Sequence, residues 1–297
     1  MSLKMKRILI NSGGGVKGYA QAQVLKKLEI DNGPLYKYYD LIAGSSVGAI
    51  NAAMVASGKI SMTKLESIYP DMVRKIFERK YLPPIPLYDR KHFVKVFVNE
   101  IGMIKMTDCL TKIQITSVNL CDKRNHFFKS WEQKDGQEYL VSTACKSFAA
   151  PFYFGTLIDE QTKAVWMDGG MGVANIPIAY GLVDAFVLWP DEEWHFDIIG
   201  CGFTDETISF DEAKKYKFIR QIFSYLDFDD GGLAREQVRQ EQVYGLQAMC
   251  ASSKKKISMC YYDIAIPKAI DKLDGVKFLD QYKRIGEEMA KKPLVVA

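Results

Sequence analysis

Residues 39–56, YDLIAGSSVGAINAAMVA, place a serine in a glycine-bounded turn between two apolar segments. The apolar residues before the turn predict a short strand, and the alanine-rich residues after it predict a helix. Gly44 and Gly48 flank Ser46 with G-x-S-x-G spacing, and glycines suit a tight turn because a Cβ would clash there. This pattern is typical of the nucleophile elbow of serine hydrolases, where the helix N-terminus, here Val47, offers an N–H to a developing oxyanion. Taken alone, the pattern also fits an ordinary turn.

A glycine-rich loop follows the first predicted strand. Residues 6–11, KRILIN, predict that strand, and residues 19–28 predict an amphipathic helix. Between them lie the loop glycines Gly13, Gly14, Gly15 and Gly18. Consecutive glycines let the backbone turn its N–H groups toward one point, and one such donor stabilises a tetrahedral intermediate by roughly 3 kcal/mol. The loop therefore predicts an oxyanion hole.

Phosphate binding is the competing interpretation of this loop. A P-loop requires Lys and then Ser or Thr after its last glycine, and the Tyr-Ala pair at 19–20 excludes it. Gly13, Gly15 and Gly18 do satisfy the G-x-G-x-x-G pattern of dinucleotide-binding folds. In those folds an acid closes the next strand, whereas Asp40 precedes that strand here. A dinucleotide-binding site stays open as the weaker alternative.

Three motifs in this order resemble the patatin-like phospholipase family, namely GGGVKG at 13–18, GSSVG at 44–48 and Asp168-Gly169-Gly170. Two further segments extend the resemblance over residues 6–203, namely 147–154 and 175–177. The order of the motifs and the short gap between the first two are specific to the family. The resemblance implies an α/β three-layer sandwich with a mixed, mostly parallel central sheet and helices on both faces.

The resemblance also implies a lipid acyl hydrolase of the phospholipase A type with a Ser-Asp dyad. Ser46 would attack an ester carbonyl and Asp168 would accept its proton, giving an acyl-serine that water hydrolyses. The N–H groups of loop residues 13–15, together with that of Val47, would hold the oxyanion. A transacylase that passes the acyl chain to an alcohol, and a non-catalytic lipid-binding protein, are the alternatives.

The histidine content independently favours a dyad. The chain has 3 histidines, His92, His126 and His195. A Ser-His-Asp hydrolase of the α/β class places its histidine last in the chain, and none follows His195. The flanking Trp194 and Phe196 predict a half-buried packing role for His195. We expect the other two histidines to be structural or surface residues.

Asp168 follows the apolar residues 164–167, which predict a strand. Gly169 and Gly170 then allow a tight exit, so the carboxylate would stand at the end of the strand. The alternative is an Asx-type turn, in which Asp168 only accepts a hydrogen bond from the backbone that follows it.

Composition predicts one globular domain. The chain has 297 residues, of which 48% are hydrophobic and 26% are charged. We predict a single domain over 1–297, with its core motifs in 6–203 and a helical elaboration plus a strand in 204–297. The net charge of +4 is too small to indicate nucleic acid, although it is compatible with transient contact with an anionic membrane surface. No sequence feature indicates an oligomeric state.

The 6 cysteines are scattered and include no CxxC pair. This usage predicts reduced thiols and a cytoplasmic protein, and the lack of clustered Cys and His predicts no metal. We expect no cofactor. The sequence has no apolar run of signal-peptide or transmembrane type.

Three local features have two interpretations each. Lys17 either contacts an anionic headgroup or substrate phosphate, or is solvated. Residues 81–88, YLPPIPLY, form either a flap beside the site or a packed linker. Residues 227–232, DFDDGG, begin like a calcium loop but lack its later ligands, so we predict an acidic turn.

Hydrophobic periodicity predicts the remaining elements. Strands are expected at 112–120, 126–128, 197–203 and 257–266. Helices are expected at 61–79, 89–100, 138–145, 211–226, 233–250 and 276–291.

Overall fold

A nine-stranded sheet forms the centre of the molecule. The computed structural model describes residues 5–79, 86–133, 138–204, 209–215, 233–253 and 256–296. The strands are β1 (Met5–Asn11), β2 (Leu41–Ser45), β3 (Lys112–Asn119), β4 (Arg124–Lys129), β5 (Leu157–Asp159), β6 (Ala164–Asp168), β7 (Glu193–Ile199), β8 (Ile257–Tyr262) and β9 (Leu294–Val296).

Five adjacent strands, in the order β3, β2, β1, β7 and β8, run parallel. The antiparallel pairings lie at the margins, where β4 and β6 pair with β3, β5 pairs with β6, and β9 pairs with β8. The predicted mixed, mostly parallel sheet is therefore confirmed. Parallel strands need crossover connections, and helices supply them here.

Helices cover both faces of the sheet. They are α1 (Gly18–Asn32), α2 (Leu35–Tyr38), α3 (Val47–Ser57), α4 (Met62–Ile76), α5 (Arg90–Ile101), α6 (Leu140–Ser147), α7 (Ile178–Leu188), α8 (Phe210–Ala213), α9 (Leu233–Ser252) and α10 (Leu279–Lys291). Leu9 and Ile42 face a core shared with α1, α3, α4, α5, α6 and α10. Ile8 and Ile10, on the alternate face of β1, pack in a second core with α7 and α9. Two cores separated by one sheet give the predicted three layers.

The predicted strand boundaries shift in the second half of the chain. We predicted 197–203, but β7 ends at Ile199, before Gly200 and the positive-φ Gly202. We also predicted 257–266, but β8 ends at Tyr262, after which the Asp263 carboxylate accepts hydrogen bonds from nearby backbone N–H groups. In both places the strand pairing ends at a glycine or a carboxylate, although most of the residues beyond it are apolar.

The C-terminal third joins the same sheet through β8 and β9. These pairings support the proposal that residues 204–297 pack on the same domain as the motifs. The acidic stretch 227–232 and most of the helix predicted at 211–226 lie outside the described residues. Among the helices that the structure describes, none combines the length and apolar character needed to span a membrane.

Candidate active site

Ser46 occupies a strained turn between β2 and α3. Its backbone has φ 53° and ψ −124°, a conformation that non-glycine residues rarely adopt. The flanking glycines are required by close packing, since a Cβ on Gly44 would lie 2.3 Å from the carbonyl oxygen of Gly48. A Cβ on Gly48 would lie 2.4 Å from the carbonyl oxygen of Asn11. The turn therefore has the geometry of a nucleophile elbow, with the serine held away from the strand.

Ser46 and Asp168 are joined by a buried hydrogen bond. Ser46 Oγ donates to Asp168 Oδ2 at 2.7 Å, and the two residues are only 7% and 5% exposed. The other carboxylate oxygen, Oδ1, accepts from the Gly170 N–H at 2.7 Å. The Asx-type turn is thus present together with the serine contact, and it fixes the carboxylate that faces the hydroxyl.

The order of strands around β3 explains why these two residues meet. β2 pairs with the first half of β3 and ends at Ser45, opposite Thr116. β6 ends at Asp168, opposite Ser117. Because β4 pairs along the other edge of β3, β2 and β6 share one edge and meet there end to end. Residues 122 positions apart in sequence are therefore neighbours in the sheet.

The glycine loop lies beside the serine, but its N–H groups are used unequally. The Gly13 N–H donates to the Asn175 carbonyl at 2.9 Å, so the expectation that it faces an oxyanion is wrong. Gly14 and Gly15 line the same cleft as Ser46, and within the described residues no hydrogen bond engages their N–H groups. Val47, the first residue of α3, follows the serine directly.

A small apolar cleft, with a cavity volume of about 50 Å³, opens over the dyad. Its wall is largely aromatic and includes Phe77, Phe148, Phe152, Tyr153 and Phe154. Phe77, Phe148 and Phe154 contact one another edge-on or tilted, with the Phe148 and Phe154 centroids 4.6 Å apart. Residues 147–154 resemble a segment of the family, but that resemblance did not predict a cleft wall. The aromatic residues that flank Ala149-Ala150-Pro151, at 148 and at 152–154, were the available signal.

Two residues at the end of the proline-rich segment pack near this wall. Tyr88 stacks parallel to Tyr153 and contacts Phe77 edge-on. Leu87 and Tyr88 also donate backbone hydrogen bonds to the carbonyls of residues 152 and 153. Residues 81–85 lie outside the described part of the chain. The described end of the segment therefore packs as a linker would.

Lys17 is neither solvated nor available to a headgroup. It is 6% exposed, and its ammonium is bonded to the carboxylate of Asp271, which is 3% exposed. Both interpretations offered for this lysine are therefore wrong. Its partner lies 254 residues away in sequence, so no local pattern could have indicated it.

The histidines have other partners. His195 Nδ1 bonds Ser258 Oγ at 2.8 Å in the interior of the sheet, and the ring is half-buried as predicted. His126 bonds the exposed Asp122, and His92 contacts the backbone of Lys75 on the surface. Each of the three imidazole rings therefore has a partner outside the Ser46–Asp168 pair, either within the sheet or on the surface.

The cysteines are unpaired, as expected for reduced thiols. One of them does belong to a cluster that sequence spacing did not reveal. An imidazole nitrogen of His195, a carboxylate oxygen of Asp197 and the Sγ of Cys260 lie within 4.8 Å of one another, because β7 and β8 are adjacent. The Tyr39 hydroxyl donates to Asp197 at 2.8 Å in the same cluster.

Asp40 is bonded to residues of β1. Its carboxylate is bonded to the ammonium of Lys6 at 3.0 Å and accepts from the Arg7 N–H at 3.0 Å. It lies at the beginning of β2, whereas the G-x-G-x-x-G loop follows the end of β1. Because β1 and β2 run parallel, Asp40 and the glycine loop lie at opposite ends of these strands. This separation disfavours dinucleotide binding.

Known proteins resemble this chain in sequence over its first two thirds. A sequence model of the family described as "Patatin-like phospholipase" matches residues 9–182. A "cGAMP-activated phospholipase" of Vibrio cholerae serotype O1 is 32% identical over 206 residues, covering 61% of this chain and 58% of its own. A "cUMP-AMP-activated phospholipase" of Escherichia coli is 27% identical over 212 residues, covering 66% of this chain and 64% of its own.

Among solved structures, VipD from Legionella pneumophila aligns with 94% of this chain and 66% of its own, at a TM-score of 0.42 and 10% identity. The chain spans less than two thirds of the length of either curated relative. The family match covers more than half of the sequence. The chain therefore belongs to the patatin-like phospholipase family.

Proposed function

We propose that this protein is a serine lipid acyl hydrolase of the phospholipase A type. The observation that carries the proposal is the 2.7 Å hydrogen bond from Ser46 Oγ to Asp168 Oδ2 at the base of an apolar cleft. Membership of a family of phospholipases supports a lipid ester as the substrate. The aromatic cleft wall supports an acyl chain as the part of the substrate that binds beside the serine.

In the proposed reaction, Asp168 accepts the hydroxyl proton as Ser46 Oγ attacks the ester carbonyl. The tetrahedral intermediate then collapses, the bond to the leaving alcohol breaks, and that alcohol takes the proton back. Water attacks the resulting acyl-serine with Asp168 again accepting a proton, which releases the fatty acid and restores the hydroxyl. Both residues are buried, so the proton moves in a site of low dielectric where the carboxylate is less well solvated.

Gly14 and Gly15 supply the oxyanion donors in this proposal, together with Val47. Gly14 and Gly15 line the cleft, and Val47 is the first residue of α3, where the helix dipole has its positive end. Gly13 has a different role, because its N–H fixes the loop to Asn175. Gly18 serves packing, since a Cβ there would lie 2.3 Å from Val47 Cγ2.

The test is hydrolysis of phospholipid vesicles and of a soluble short-chain ester by wild type, Ser46→Ala and Asp168→Asn. We expect each variant to lose at least about 10³-fold in kcat, because the nucleophile and its base act as one unit. Circular dichroism and the melting temperature serve as the folding control. Turnover of purified Ser46→Ala within tenfold of wild type would contradict the proposal.

A further inference from the structure

The glycine loop is tied to a distant part of the chain by a buried ion pair. Lys17 lies two residues after Gly15, and its ammonium is bonded to Asp271. The second oxygen of Asp271 accepts from Thr204 Oγ1 at 2.6 Å. Both charged residues are more than nine-tenths buried, so the pair is screened little by solvent. Residue 271 lies well beyond the family match, which ends at residue 182.

A second link joins the same two segments through the backbone. The Val16 N–H donates to the Leu273 carbonyl at 2.8 Å. Gly15 has a φ of +59°, and a Cβ on it would lie 2.1 Å from that same carbonyl oxygen. The loop therefore has a glycine at 15 both for its conformation and for the close approach of residues 270–274, which we call the brace segment.

The brace segment is itself held by the folded core. The Tyr282 hydroxyl, on α10, donates to the Ile270 carbonyl at 2.7 Å. The Tyr88 hydroxyl donates to the Asp274 carboxylate at 2.7 Å. α10 packs against α1, and a Cβ on Gly286 would lie 2.2 Å from the Ala20 carbonyl oxygen. Contacts from both sides thus fix the segment that contacts the loop.

We propose that Asp271 is a positioning residue for the oxyanion donors, acting through Lys17 on Gly14 and Gly15. The inference rests on the proposed function, because it assigns these two glycines to the oxyanion. Donors of this kind must be held to about 0.5 Å to stabilise a transition state. The ion pair and the Val16–Leu273 hydrogen bond clamp the residues that follow the donors, and the Gly13–Asn175 bond clamps the residue before them.

The experiment compares Asp271→Asn with wild type on a soluble short-chain ester. We expect kcat to fall about tenfold with KM little changed, because a displaced donor weakens the transition state and not the bound ester. An alkyl trifluoromethyl ketone, which forms an oxyanion on the serine, should lose affinity by a similar factor. A purely structural role of Asp271 would not make kcat and the affinity for the ketone fall by the same factor.

Asp184→Asn is the matched control. Asp184 is also a buried carboxylate paired with a lysine, at 2.8 Å from Lys129, but it lies on α7 on the opposite face of the sheet. We expect this variant to lose stability while keeping kcat. If Asp271→Asn and Asp184→Asn lower kcat equally at matched stability, the positioning role is wrong.

A double-mutant cycle with Lys17→Met tests whether the two residues act as one link. The double variant should have the same kcat as the single variant with the lower kcat, because either change alone already removes the Lys17–Asp271 ion pair. Multiplied losses would show independent roles and would overturn the proposal.

Hydrogen exchange separates this proposal from the proposed function. In Asp271→Asn, but not in Asp184→Asn, amides in a peptide covering residues 12–20 should exchange faster than in wild type. Unchanged exchange overturns the brace even if the protein is an active hydrolase. If the wild-type protein lacks esterase activity but Asp271→Asn still exchanges faster than wild type in residues 12–20, the result would support the brace and reject the proposed function.

Discussion

At the residue scale, the proposed chemistry depends on a serine held in an unfavourable backbone conformation. Ser46 has a positive φ, which costs on the order of 1–3 kcal/mol in a non-glycine residue. The surrounding contacts maintain it, including a hydrogen bond of 2.9 Å from the Ser46 N–H to Ser147 Oγ. The resulting turn aims the hydroxyl at Asp168, so the strain is part of the proposed mechanism.

Replacing Gly44 tests the packing of this turn. Gly44→Ala should lower the free energy of unfolding by about 1–3 kcal/mol or more, because the new methyl group meets backbone atoms that cannot move aside. Gly245→Ala is the control, since Gly245 lies within α9 and a Cβ there has nothing within 4 Å. Alanine should stabilise that helix by roughly 0.5–1 kcal/mol. Urea unfolding measures both, and changes of the same sign would count against this account.

The motif residues could be predicted from sequence because each motif is local. The elbow around Ser46 and the Asp168-Gly169-Gly170 turn each contain their own strand end and their own glycines. The roles of Gly13 and Lys17 could not be predicted in this way. Their partners, Asn175 and Asp271, are brought to the loop only by the folded sheet.

At the scale of elements, β7 and β8 carry a buried polar cluster away from the dyad. Burial by itself lowers the pKa of His195, but Asp197 and Cys260 beside the ring raise that pKa to about 9 overall. The imidazolium is therefore favoured by the folded state. These strands lie on the side of β1 away from β2, the strand that leads into Ser46, so the cluster affects stability and not the reaction directly.

The pH dependence of stability follows from the direction of this shift. Because the pKa of His195 in the folded state, about 9, lies above its value of 6.5 in the unfolded chain, its contribution is complete below about pH 6.5. It is lost as the pH rises through about 9, by at most about 3 kcal/mol. Chemical unfolding between pH 6 and 10 should show this decline in wild type.

His195→Gln should flatten that part of the curve. His92→Gln, which changes an exposed ring on α5, should leave the decline in place. An equal decline in wild type and His195→Gln would show that another group is responsible.

Element types were more predictable than element boundaries. The strand predicted from residue 197 begins at Glu193 in the structure, because Trp194 and Phe196 alternate with His195 and fill the core on one face. The helix predicted from 276 begins as a regular α-helix at Leu279. Amphipathic alternation with a polar, half-buried histidine is a weaker signal than a continuous apolar run, which explains the shifted prediction for β7.

At the scale of the whole molecule, two distant halves of the chain build one proposed site. The family match ends at residue 182, before β7, β8 and α10 begin. Those later elements complete the sheet and carry the brace segment that contacts the glycine loop. Sequence motifs could therefore nominate the residues of the proposed dyad, but the aromatic wall and the brace depend on contacts that only the assembled fold defines.

The most direct test of the central claim is mass spectrometry of the protein after reaction with a fluorophosphonate. An activated serine displaces fluoride and becomes a stable phosphonate ester. We predict one adduct per chain, located on Ser46 by peptide mapping, with much slower labelling of Asp168→Asn and none of Ser46→Ala. Labelling that persists in Ser46→Ala, or an adduct on another residue, would contradict the assignment of Ser46 as the nucleophile.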